Sequence, residues 1–141
     1  MRILIYRWNA YNYTDIIANL RAMGHTVDVI GQELVSYDED EAFAARLTGL
    51  LTGTDASYDF VFTVNYYGVI SDVCEQCHVR YVIWTCDNPL ISMYHRSFYN
   101  DCNYVFTFDK TNYLEFQAMG AKHIWYLPLG VDTDRLDALL D

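Results

Sequence analysis

Residues 58–85 decide the fold. They read Tyr58-Asp59-Phe60-Val61-Phe62-Thr63-Val64, then Asn65-Tyr66-Tyr67-Gly68-Val69-Ile70-Ser71-Asp72-Val73-Cys74-Glu75-Gln76-Cys77, then His78-Val79-Arg80-Tyr81-Val82-Ile83-Trp84-Thr85. The flanking runs, Tyr58–Val64 and Arg80–Thr85, are short, apolar and rich in β-branched and aromatic side chains, as strands are. Within Tyr66–Cys77, the residues Ile70, Val73, Cys74 and Cys77 recur at the spacing of one helix face. A strand, a helix and a strand in so short a span make a βαβ unit, whose two strands run parallel.

The same alternation extends in both directions. Upstream, Arg2–Tyr6 reads as a strand, Thr14–Met23 as a helix and Thr26–Ile30 as a second strand. Thr14 is the expected N-cap, Asp15 suits the positive helix end, and Gly24 stands where a left-handed stop is wanted. The acidic run Asp38-Glu39-Asp40-Glu41 leads into Phe43, Leu47, Leu50 and Leu51, and reads as the first turn of a helix ending at Gly53 rather than as a metal site. Downstream, the irregular stretch Cys86–Asn100, with a short helix near Ile91–His95, precedes a strand at Asn103–Phe108 and a helix at Lys110–Met119. A last strand at His123–Leu127 and a helix at Asp132–Leu140 complete the series. The expected fold class is α/β: a three-layer α/β/α, Rossmann-like domain over residues 1–130 with a mostly parallel six-stranded sheet. Its default strand order is 3-2-1-4-5-6. Residues 131–141 begin a linker or further helix.

Composition fits one such domain. The chain has 141 residues, 52% of them apolar, enough for a core without disulfides or metal. With 9 basic and 19 acidic residues the net charge is −10, which argues against nucleic acid and anionic membranes as partners. No apolar run approaches the roughly 20 residues of a transmembrane helix. Met1–Tyr6 is too short and too soon polar for a signal peptide, so a cytoplasmic location with four reduced cysteines is expected. The 13 tyrosines suit sugars, nucleobases and protein partners, and equally suit half-buried strands.

In a parallel sheet, ligands bind beyond the carboxyl ends of the strands. Those loops are Arg7-Trp8-Asn9, Asn65-Tyr66-Tyr67, Cys86-Asp87-Asn88-Pro89, Asp109-Lys110 and Pro128-Leu129-Gly130. The first contains no glycine, so it lacks the dinucleotide fingerprint, and the chain has no P-loop. No cofactor is expected. Asp87 reads either as a turn cap or, beside His95, as a general acid or base; Asp109 reads as a helix N-cap. Cys74-Glu75-Gln76-Cys77-His78 matches the attachment motif for c-type haem, and with Cys102 these residues could form a zinc site. Cys74 and Cys77 lie on the apolar helix face, however, so packing is the preferred reading and no metal is assigned.

Four segments, Asn65–Cys74, Tyr81–Leu90, Cys102–Lys110 and Tyr126–Asp132, together resemble the uncharacterised N-terminal domain of spore-maturation-type bacterial glycosyltransferases with the GT-B fold. The resemblance covers most of the chain from Asn65 to Asp132. It implies the acceptor-side lobe of an enzyme that moves a sugar from a nucleotide-diphosphate sugar to an acceptor hydroxyl. The donor would be held mainly by a C-terminal lobe, and this piece alone would be inactive. Asp87 is then the expected catalytic residue, and Trp8, Asn9, Asn65, Tyr66, Asn88 and His95 the expected substrate-binding residues. The competing expectation is a non-catalytic α/β binding or protein-interaction module.

Overall fold

The computed structural model describes residues 1–8, 10–55 and 57–140. Six strands, β1 (Arg2–Tyr6), β2 (Thr26–Ile30), β3 (Phe60–Val64), β4 (Arg80–Thr85), β5 (Asn103–Thr107) and β6 (Ile124–Tyr126), form one sheet. Every pairing in it is parallel. The helices are α1 (Tyr13–Ala22), α2 (Glu41–Thr52), α3 (Gly68–Cys77), α4 (Lys110–Ala118) and α5 (Thr133–Leu140). The short helix expected near Ile91–His95 is two 3-10 turns, Ile91–Tyr94 and Arg96–Tyr99. The architecture is the expected three-layer, Rossmann-like α/β fold.

The strand order corrects the expectation. It is β2-β1-β3-β4-β5-β6, so β3 lies beside β1 and β2 forms an edge. The reason is in the side chains. β2 carries Asp28, which takes Arg2 (2.9 Å) and the Tyr58 hydroxyl (2.7 Å) at a partly exposed position, and its Thr26 and Val29 are exposed. Such a strand is tolerated at an edge and not between two others. β3, by contrast, has no exposed residue.

Two helix boundaries also differ. Asn12, not Thr14, occupies the N-cap position of α1, and its side chain reaches Cys86 Sγ instead of capping. Asp40 caps α2 by accepting from the Phe43 N–H, so Asp38 and Glu39 precede that helix rather than form its first turn. Gly24 has φ +91°, the left-handed stop expected after α1; its N–H bonds Arg21 O and the His25 N–H bonds Leu20 O.

Two apolar clusters sandwich the sheet. The larger joins Leu4, Tyr6, Val61, Tyr81, Ile83 and Val105 to α2, α3 and α4. The smaller joins Ile3, Ile5, Val27 and Val64 to Tyr13 and Ile17 of α1. A right-handed crossover lies on the side set by the direction of travel along the sheet. Only the β1-to-β2 step runs toward the β2 edge, so α1 lies on one face and α2, α3 and α4 on the other.

β1 and β3 part company before their carboxyl ends. Their register stops at Ile5↔Phe62, while β3 stays paired with β4 through Val64↔Trp84. The Tyr13 hydroxyl closes the gap: it accepts from the Val64 N–H (2.8 Å) and donates to Val64 O (3.3 Å). Tyr13 is fully buried. Tyr13→Phe strands two buried backbone groups and is expected to cost about 1–3 kcal/mol, read as a lower urea midpoint with an unchanged slope.

Candidate functional site

The divergence of β1 and β3 is the point where chain travel along the sheet reverses, the position at which open parallel sheets hold ligands beyond their carboxyl edge. Asn65 leaves β3 at this point with φ +66°, in the left-handed region that Asn tolerates better than most residues. All four of its polar groups are engaged. Its N–H donates to Trp84 O (2.9 Å), and its carbonyl accepts from the Thr63 hydroxyl (2.6 Å). Its side-chain Oδ1 accepts from the Cys86 N–H (2.9 Å), and Nδ2 donates to Asp87 Oδ2 (2.6 Å). Asn65 thus ties the loop after β3 to the loop after β4 and orients the exposed carboxylate of Asp87.

The row continues across the sheet. Asn88 Nδ2 donates to Asp109 Oδ2 (2.7 Å), and Asp109 Oδ1 accepts from the Asn112 N–H (2.9 Å) as the N-cap of α4. Asp87 and Asn88 are exposed, and Asp87 Oδ1 makes no hydrogen bond among the described residues. The edge therefore presents alternating amides and carboxylates, groups that donate to and accept from hydroxyls. Beside them, burial in the first place pushes the Cys86 thiol above its ordinary value, and the Asp87 charge adds to this, so Cys86 is held as a thiol rather than a nucleophilic thiolate.

The structure brings Asn65, Asp87 and Asn88 together at one mouth. Trp8 follows β1 on the other side of the divergence and packs its ring partly against the larger core. Asn9 lies outside the described residues. Tyr66 is not at the mouth: it is fully buried in the core, and burial pushes its phenol up to about 12. It offers no surface to a ligand, because β3 hands over to α3 with the ring turned under the sheet.

Tyr66 and His95 belong to a second polar cluster. The Tyr66 hydroxyl and His95 Nδ1 (2.7 Å) both meet Ser97 Oγ, and Asp38 Oδ1 stands 3.8 Å from His95 Nδ1. A Cβ at Gly68 would lie 2.7 Å from Asp38 Oδ1 and 3.0 Å from both His95 Nδ1 and Ser97 Oγ, so only glycine starts α3 here. His95 is thus hydrogen-bonded to Ser97, with Asp38 nearby, and no hydrogen bond joins it to Asp87 as an acid–base pair.

The cysteine motif takes its packing role. Cys74 is buried in the core, which raises its thiol well above the ordinary range, and burial raises Cys77 and Cys102 as well. Among the described residues no three His, Cys, Asp or Glu side chains are grouped to share a metal ion. His78 ends α3 with φ +55°: its N–H bonds Glu75 O, and the Val79 N–H bonds Cys74 O. This is the hydrogen-bond pattern that Gly24 makes after α1, here built on a residue with a Cβ.

Asn12, Tyr13 and Asp109 support this site; of the three, only Asp109, as a helix cap, carries a residue-type signal in the sequence. Asn12-Tyr13 directly follows the β1 loop, and that position is the one signal available for them. Compared with protein families, with curated proteins and with solved structures, the chain finds no match.

Two substitution tests follow from this geometry. Asn65→Ala keeps the strained backbone and loses both side-chain bonds, whereas Asn65→Gly loses the bonds but relieves φ. The alanine variant should be less stable than the glycine variant by about 1 kcal/mol in denaturant unfolding. His78→Gly removes left-handed strain at an exposed position and should raise stability by up to about 1 kcal/mol, measured the same way.

Proposed function

We propose that this chain is the acceptor-side lobe of a GT-B glycosyltransferase, transferring a sugar from a nucleotide-diphosphate sugar to an acceptor hydroxyl. The observation that carries the reading is the Asn65–Asp87 pair beside the point where β1 and β3 separate, continued along the carboxyl edge over β4 and β5 by Asn88–Asp109. The resemblance of residues 65–132 to the N-terminal domain of spore-maturation-type enzymes supports the same reading. So does the glycine-free loop after β1, which gives a pyrophosphate no close backbone approach, as expected of a lobe that does not hold the donor phosphates.

In this scheme the acceptor sugar lies along the carboxyl edge, with Trp8 on one wall and Asn65 and Asn88 offering hydrogen bonds to its hydroxyls. Asp87 Oδ2 is held by Asn65, and Oδ1 faces the acceptor. In an inverting reaction Oδ1 takes the proton of the attacking hydroxyl as that oxygen bonds to the anomeric carbon and the nucleoside diphosphate leaves. In a retaining reaction Asp87 orients the acceptor instead. The scheme requires a second lobe, outside residues 1–141, to bring the donor, and closure of the two lobes to exclude water. A second reading, a non-catalytic interaction module, draws on the open face of the sheet described below.

The test is sugar transfer by the product that joins this chain to a donor-binding lobe. Asp87→Asn preserves the shape and a hydrogen bond to Asn65 while removing the base. For an inverting enzyme, kcat should fall by about 10²- to 10⁴-fold with folding unchanged. An unaltered rate removes Asp87 from the chemistry.

A further inference from the structure

The two faces of the sheet are not equally covered. Along β4 the burial runs exposed, buried, half-buried, buried, half-buried, buried, and along β5 buried and half-buried residues alternate throughout. The buried set, including Tyr81, Ile83 and Val105, faces α2, α3 and α4. The half-buried set, Val82, Trp84, Tyr104 and Phe106, faces the side that holds α1. All-parallel sheets are ordinarily covered on both faces, so such alternation marks a missing layer.

The topology explains the gap. Four of the five crossovers place their connections on one face, leaving only α1 and the terminal α5 for the other. α5 is tied to α1 by Asn19–Asp132 (2.8 Å) and Arg135–Asp15 (3.2 Å), but none of its residues is buried. Between α1, α5 and the sheet lies a groove of about 740 Å³, floored by Phe60, Phe62, Val82, Trp84 and Phe106. Beyond it the aromatic surface continues. Trp125 stacks on Phe106 (centroids 5.3 Å), and His123 stacks on Tyr104 (4.7 Å), with Trp125 still 43% exposed. The stacked row extends the apolar surface to the β6 edge, the kind of surface that side chains of a partner pack against.

We propose that this face, over β4 to β6, is a docking surface for an amphipathic helix of a partner protein, apolar on one side and basic along its flanks. Width selects a helix: two strand spacings of about 4.8 Å match a helix diameter of about 10 Å. Charge selects its flanks. The chain carries −10, and on the groove wall the three carboxylates of Asp15, Asp132 and Asp134 face one guanidinium, that of Arg135, which pairs with Asp15. The same charge disfavours a second copy, whose own α5 is acidic, with Asp134 and Asp137 against Arg135. This inference does not rest on the sugar-transfer reading, because the reactive groups proposed there are Asn65 and Asp87 and not this floor.

The test uses the 141-residue chain, isotope-labelled for NMR, and a synthetic 16-residue helical peptide with a Leu/Ala face and Lys flanks. The expected result is movement of the Trp84 and Trp125 indole signals with that of Trp8 unmoved. Affinity should fall about tenfold or more between low and high salt. Trp125→Glu, at an exposed position, should weaken binding about tenfold or more without changing the melting temperature. Phe106→Ser should weaken binding to a similar extent at some cost in melting temperature, with retained far-UV dichroism certifying its fold. Equal binding of a peptide with Glu in place of Lys overturns the proposal, as does binding of neither. Concentration-dependent dimerisation that shields Trp125 assigns the face to a second copy and overturns it too. So does finding Trp125 shielded in a longer product of the same gene with no other protein present.

Discussion

The separation of β1 from β3 beyond Ile5 and Phe62 is the constraint on which the rest of the structure depends. A parallel sheet whose path first steps one way from β1 and then the other must open between these strands, and the opened backbone needs partners. Tyr13 supplies them from α1, taking both polar groups of Val64 on one hydroxyl. Directly after that stitch the chain turns through Asn65 in a left-handed conformation that four hydrogen bonds hold in place. The divergence of β1 from β3, the strained Asn65 and the aimed carboxylate of Asp87 therefore share a single cause.

Elements were legible wherever a local period reports burial. β4 falls on the expected Arg80–Thr85, and the stop after α1 at Gly24 needs no tertiary information, because left-handed backbone at a helix end is a local preference of glycine. Strand order was not legible in the same way. The expected 3-2-1 start and the observed 2-1-3 start differ only in which side of β1 receives β3, and both obey right-handed crossovers. Asp28 was the available signal, since a carboxylate in a strand is easier to satisfy at an edge, where Arg2 and Tyr58 reach it.

Site residues divide along the same line. Asn65, Asp87 and Asn88 come together because every strand of a parallel sheet ends on the same side, so sequence position after a strand is enough to place them. Tyr66 shows the limit of that rule. One residue beyond Asn65, its direction is set by how α3 starts at Gly68 and by the Ser97 hydroxyl waiting in the core, and neither is a local property. His95 is drawn to that same Ser97, away from the carboxylate with which its sequence neighbourhood had paired it.

By itself the sequence determined an acidic α/β fold with parallel strands, no glycine-rich phosphate loop, and polar residues after β3 and β4. Those properties follow from periodicity, charge and chain direction, which act over a few residues. Only the tertiary structure decided the strand order, the half-covered face of β4 to β6, the burial of Tyr66 and the pairing of Asn65 with Asp87. Each of these depends on which distant segments meet. That choice is settled by the competition of whole apolar faces and buried polar groups for partners, to which no short stretch of chain holds the answer.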